Sequence, residues 1–78
     1  MAAKPYIYIT RKLPESVIAT LKSFADVQMW DSEENPVPRD ILLNEAKKAD
    51  ALLTMLSDKI DKELFNIATN LKVVANLA

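Results

Sequence analysis

The 78-residue chain contains no glycine, no cysteine and no histidine. Each absence removes a class of chemistry. Without cysteine there is no disulfide framework and no thiolate metal site. Without histidine the commonest general base and the commonest metal ligand are missing. Without glycine no loop lets several backbone N–H groups close on a phosphate, which excludes a P-loop and a G-x-G-x-x-G turn. Long apolar runs are absent as well, none approaching the ~18 residues of a spanning helix. Neither sign of charge dominates: ten Lys and Arg stand against eleven Asp and Glu, a formal net charge of −1. The two signs are interspersed, leaving no basic stripe for nucleic acid and no basic amphipathic helix for a membrane surface. The opening MAAKPYIYIT lacks the apolar stretch and cleavage site of a secretion signal. The expectation is a soluble, cytoplasmic protein without nucleic-acid or membrane partners.

What is present suits one small globular domain. Half the residues are hydrophobic and 27% are charged, a balance that argues against disorder. The hydrophobic period switches repeatedly. Tyr6-Ile7-Tyr8-Ile9 is β-branched and aromatic and reads as a strand. Pro14 and Glu15 suit the first turn of a helix whose apolar face is Val17, Ile18, Leu21 and Phe24. Val27 to Trp30 reads as a second strand, and Asp31 to Val37 as an acidic, proline-containing loop. Pro38 opens a second helix with Ile41, Leu42, Ala46 and Ala49 broadly on one side. Ala51 to Met55, apolar throughout, predicts a strand covered on both faces. Asp58 or Asp61 caps a third helix burying Ile60, Leu64, Phe65, Ile67 and Ala68. Asn70 is placed to take a left-handed conformation at its end, and Lys72 to Ala75 begins a fourth strand.

The order βαβαβαβ predicts an α/β domain with a parallel, flavodoxin-like sheet of strand order 2-1-3-4. The fourth strand has no helix after it, so part of one sheet face is expected to lack cover. That predicts an incomplete domain, a piece of something larger.

Ligands of such sheets bind beyond the carboxyl ends of the strands, near the switch in strand order. Those ends are Thr10-Arg11-Lys12, Asp31-Ser32, Leu56-Ser57-Asp58 and Asn76-Leu77-Ala78. Ser57-Asp58 also serves as a simple turn and helix cap. A solvated basic loop accounts for Arg11 and Lys12, and a solvated surface for the acids at 31, 33 and 34, whose spacing matches no metal-ligand loop. Trp30 reads as a half-buried strand end, and Met29 and Met55 as core or rim filler. A phosphoacceptor receiver domain shares the alternation but needs acids after strand 1 and an aspartate at the tip of strand 3. Thr10-Arg11-Lys12 and Thr54-Met55-Leu56 fail both requirements.

The stretches ITRKLP, LLTMLSDKID and NLKVVAN carry a resemblance. The whole chain resembles the N-terminal part of D-isomer-specific 2-hydroxyacid dehydrogenases, closest to the glyoxylate and hydroxypyruvate reductase branch. That resemblance implies that residues 1–78 are the N-terminal portion of a substrate-binding domain, without the cofactor domain. It implies a two-domain enzyme that reduces a small 2-keto acid with NADH or NADPH. It places Met55, Leu56 and Ser57, after strand 3, and Asn76, Leu77 and Ala78, after strand 4, beside the substrate. It assigns no catalytic, cofactor-binding or metal-binding residue to this chain, because the family's arginine, glutamate, histidine and glycine-rich loop lie downstream; Arg11 is not that arginine. The implied chain is inactive alone and binds no cofactor itself. The alternative is a stand-alone, non-catalytic interaction module or truncated remnant, self-associating through its uncovered sheet face.

Overall fold

Strands and helices alternate along the whole of the computed structural model, which describes residues 4–32, 34–55 and 60–76. The elements are β1 (Tyr6–Ile9), α1 (Glu15–Lys22), β2 (Asp26–Met29), α2 (Arg39–Lys48), β3 (Ala51–Thr54), α3 (Lys62–Ile67) and β4 (Val73–Asn76). The strands form one parallel sheet of order β2-β1-β3-β4. This is the expected α/β, flavodoxin-like arrangement.

The two-residue period of the strands divides the core. Tyr8 and Leu52 face one side, where they pack with Leu42 and Ala46 of α2, Ala49, and Leu64 and Ala68 from around α3. Ile7, Ile9 and Val27 face the other, against Ile18 of α1 and Ala25. Strand order reverses direction after β2, so α1 lies on one face and α2 and α3 on the other. Pro14 and Pro38 stand immediately before α1 and α2 in extended conformation, each with its carbonyl accepting a first-turn N–H: Ile18 to Pro14 at 3.2 Å and Leu42 to Pro38 at 3.0 Å. Proline costs these helix starts nothing, because the first-turn N–H groups have no intrahelical partner.

Cover is unequal on the α1 side. The register pairs Ala51 with Val73 and Leu53 with Ala75, putting all four on that face. Ala51 and Leu53 are half-buried, Ala75 is exposed and Val73 is 54% exposed. The expected double cover of β3 therefore holds for Leu52 and Thr54, on the α2–α3 side, and only in part for its other face.

Several local expectations need correction. Phe24 is 55% exposed, and Val17 is also exposed. The chain leaves α1 at Ser23, and Phe24 and Ala25 both donate backbone hydrogen bonds to the Leu21 carbonyl, at 3.1 and 3.0 Å. That turn swings Phe24 outward and buries Ala25 in its place. Phe65 is 54% exposed because the short α3 presents Leu64, and Ala68 one turn on, to the core; the residue after Leu64 points about 100° away. Asn70 is not left-handed, since no described residue has positive φ. The chain instead turns through Thr69 N–H to the Ile67 carbonyl (3.0 Å) and Leu71 N–H to the Ala68 carbonyl (3.2 Å). The α3 cap is Asp61, whose carboxylate accepts from Leu64 N–H; Asp58 lies outside the described residues.

The amino-terminal edge of the sheet is closed by polar contacts. Tyr6 N–H donates to the Asp50 carboxylate at 2.8 Å, and the Tyr6 hydroxyl donates to Glu45. Burial first, and that hydrogen bond to Glu45 second, push the Tyr6 phenol above its ordinary range. The opposite, carboxyl edge carries the loops.

Candidate functional site

The loops after β1 and β2 are laced together at the carboxyl edge. Trp30 N–H donates to the Ile9 carbonyl at 2.8 Å, and Lys12 N–H to the Ser32 carbonyl at 3.1 Å. Within the second loop, Ser32 Oγ accepts from Glu34 N–H (3.2 Å) and Asn35 N–H (2.9 Å), while Trp30 Nε1–H donates to the Asn35 carbonyl at 2.9 Å. Sequence reading treats 31–37 as a solvated acidic loop; these bonds give it a defined shape.

On the other side of β1, Thr10 is buried at 2% exposure, and its N–H donates to the Leu53 carbonyl at 2.9 Å. Its hydroxyl donates to the same carbonyl at 3.3 Å. Between these walls lies a cavity of about 210 Å³. Its lining includes Thr10 and Arg11 after β1, Ser32, Glu34 and Asn35 after β2, and Met55 after β3. It sits where the strand order switches, the position that open α/β sheets use for ligands.

Of the expected site residues, Met55 is half-buried in this lining. Asn76 is exposed at the tip of β4, and its Cα pairs in register with Thr54, the residue before Met55. Met55 and Asn76 thus share the carboxyl edge on adjacent strands. Leu56, Ser57, Leu77 and Ala78 lie outside the described residues. Sequence reading put Thr10 and Ser32 on the ligand-binding rim without giving them a role, took Arg11 for a solvated loop residue, and missed Asn35. The available signal was that Thr10-Arg11 ends a strand flanking the switch.

Beyond β3, the start of α3 is tied to the start of α2. Arg39 Nη2 donates to Asp61 Oδ1 at 2.6 Å and to Glu63 Oε1 at 3.0 Å. These bonds, Asp61's first, raise the Arg39 guanidinium above its ordinary value. The same Asp61 oxygen accepts from Leu64 N–H at 3.1 Å, so one carboxylate caps the helix and anchors it. On the exposed surface, Lys12 Nζ lies 3.6 Å from Asp31, a pair of the kind that adds little stability.

Among the described residues no group of three or more side chains is placed to hold a metal ion. The described strand-to-helix turns do not fit a dinucleotide either. The residue before each of the first two helices is a proline, and none of the described residues reaches positive φ. A pyrophosphate needs clustered N–H donors on a backbone unobstructed by Cβ atoms.

The chain matches the family "D-isomer specific 2-hydroxyacid dehydrogenase, catalytic domain" over residues 7–78. It is 48% identical over 75 residues to a glyoxylate reductase of Pyrococcus horikoshii, covering 96% of this chain and 22% of that protein. A glyoxylate reductase of Thermococcus kodakarensis is 45% identical with the same coverage. The chain thus spans about a fifth of the length of the curated relatives it matches. Among solved structures, the TT0316 protein from Thermus thermophilus superposes with a TM-score of 0.79 at 28% identity, over 91% of this chain and 22% of that one. The PH0520 protein from Pyrococcus horikoshii gives a TM-score of 0.79 at 22% identity, over 94% of this chain and 21% of that one, a likeness of fold.

Proposed function

The chain belongs to the D-isomer specific 2-hydroxyacid dehydrogenase family, and on that footing we propose that it forms part of the substrate pocket of an NAD(P)-dependent reductase of small 2-keto acids. Residues 1–78 serve as the N-terminal portion of the substrate-binding domain. Glyoxylate and hydroxypyruvate are the substrates in view. Met55, Leu56 and Ser57 form one wall against the keto acid, and Asn76, Leu77 and Ala78 the adjoining wall. Their task is positioning: a small acid held in one orientation reacts far faster than one that tumbles. When bound, the nicotinamide cofactor supplies the hydride. No turn of this chain is assigned to it, and no residue here is assigned to proton transfer, so residues 1–78 alone are inactive.

The observation that carries this reading is the adjacency of the β3 and β4 tips at the carboxyl edge, next to the β1–β3 switch, with Thr54 and Asn76 in register. Near-half identity to glyoxylate reductases supports it. The test compares NADH and NADPH oxidation with glyoxylate for residues 1–78 and for a polypeptide of the relatives' full length that carries them. Turnover by the longer chain only is expected. Turnover by the 78 residues, or none by the longer chain, contradicts the proposal.

The half-covered face supports a second statement about the 78 residues taken alone. Val73 and Ala75, beside the half-buried Ala51 and Leu53, form an apolar strip that would bury itself against a second copy.

A further inference from the structure

Resting on the reductase reading above, we propose that the cavity between the β1 and β2 loops is a distal subsite for the hydroxylated tail of a 2-keto acid, with Arg11 as its specificity-determining residue.

Three observations combine. First, the cavity shares Met55 with the wall assigned to the keto acid, so the two adjoin. At about 210 Å³ it holds several atoms beyond the reacting carbons. Second, Arg11 is half-buried in the lining, and among the described residues its guanidinium makes no hydrogen bond or ion pair. A guanidinium with up to five unused donors gains most from a ligand acceptor within its reach. Third, the remaining lining has the polarity of a hydroxyl site. Glu34 contributes a carboxylate acceptor, and among the described residues it pairs with no cation. Asn35 carries an amide, and Ser32 Oγ already accepts two backbone N–H groups, which leaves its own hydrogen to donate.

Charge decides which tail fits. Among the described lining residues the charges are one positive, Arg11, and one negative, Glu34. A second carboxylate or a phosphate would meet Arg11 favourably but face Glu34 in the same cavity. A hydroxyl accepts from Arg11 and donates to Glu34, so it satisfies both. Glyoxylate, with no carbon beyond the carbonyl, has nothing to place there. The subsite therefore favours polyhydroxylated 2-keto acids over glyoxylate.

The test uses the full-length polypeptide and compares kcat/KM for 2-ketogluconate with kcat/KM for glyoxylate, in the wild type and in Arg11→Met and Arg11→Lys. The ratio of the two is independent of how much enzyme is folded. It is expected to fall about tenfold or more in Arg11→Met, the loss of a hydrogen bond to a charged group, and less in Arg11→Lys. An unchanged ratio in Arg11→Met, with glyoxylate still reduced by the wild type, overturns the subsite and leaves the reductase reading standing. A wild type that reduces neither acid overturns both.

Discussion

Thr54 and Asn76 are register partners at the ends of β3 and β4. Thr54 is 1% exposed and its hydroxyl donates to the Ala75 carbonyl at 3.5 Å, whereas Asn76 is exposed at the edge. The pair fixes where the last two strand tips stand relative to each other. In a polypeptide of the relatives' full length that carries these residues, Asn76→Ala is expected to lower kcat/KM for glyoxylate about tenfold, the scale of one hydrogen bond to a charged substrate. Val73→Thr, at the far end of the same strand, is expected to leave it within about twofold. Equal effects from the two substitutions would remove the carboxyl edge as the binding edge.

Asp61 performs two tasks and Arg39 one. Asp61→Ala removes both the α3 cap and the 2.6 Å bond from Arg39. The expected loss is about 1–2 kcal/mol of unfolding free energy. Arg39→Met removes ion pairs that are partly solvated and is expected to cost less than Asp61→Ala. Urea denaturation of the two variants and their double mutant measures both costs and their coupling. A larger loss from Arg39→Met than from Asp61→Ala would show that the cap is not the principal contribution.

Tyr6 sets a pH dependence at the alkaline end. Its phenol is raised by burial and by the hydrogen bond to Glu45, so the folded chain holds the proton more tightly than the unfolded chain. The resulting stability is fully present below the ordinary tyrosine pKa, about 10, and is lost as pH rises through the folded value. Ultraviolet titration is expected to show Tyr6 still protonated when an exposed tyrosine has ionised. In Tyr6→Phe the stability curve above that pH should flatten. Ionisation of Tyr6 near the ordinary value, identified as the titration lost in Tyr6→Phe, would contradict the assignment.

The half-covered sheet face predicts that the isolated 78 residues are concentration-sensitive. Sedimentation equilibrium is expected to show self-association that Val73→Lys reduces, because a charge placed in the strip opposes its burial. A wild-type chain that stays monomeric at high concentration would show that the strip does not drive association.

Much of this architecture is legible from the residues, because in those places local chemistry and global packing agree. Tyr6–Ile9 matches its expected strand, and Pro14 and Pro38 mark two helix starts by backbone geometry alone. Where the reading failed, a tertiary choice decided. Phe24 and Phe65 are large and apolar, yet Ala25, Leu64 and Ala68 take the core positions. Periodicity ranks positions within a helix but does not say where the chain leaves the helix. The cavity was hidden for a related reason. Residues 31–37 are mostly polar with one proline, and the described part of that loop takes its shape from the Trp30 indole, the Ser32 hydroxyl and the Lys12 N–H bond to the Ser32 carbonyl.

Where a keto acid binds is decided most directly by a crystal structure of a polypeptide of the relatives' full length that carries residues 1–78, grown with NADH or NADPH and with oxalate, an unreactive mimic of glyoxylate. The expected result is oxalate at the carboxyl edge of the sheet, against the residues that follow β3 and β4, with Met55 and Asn76 beside it. Oxalate bound at the opposite edge near Asp50 and Lys72, or touching none of the residues after β1, β3 or β4, would contradict the proposed site.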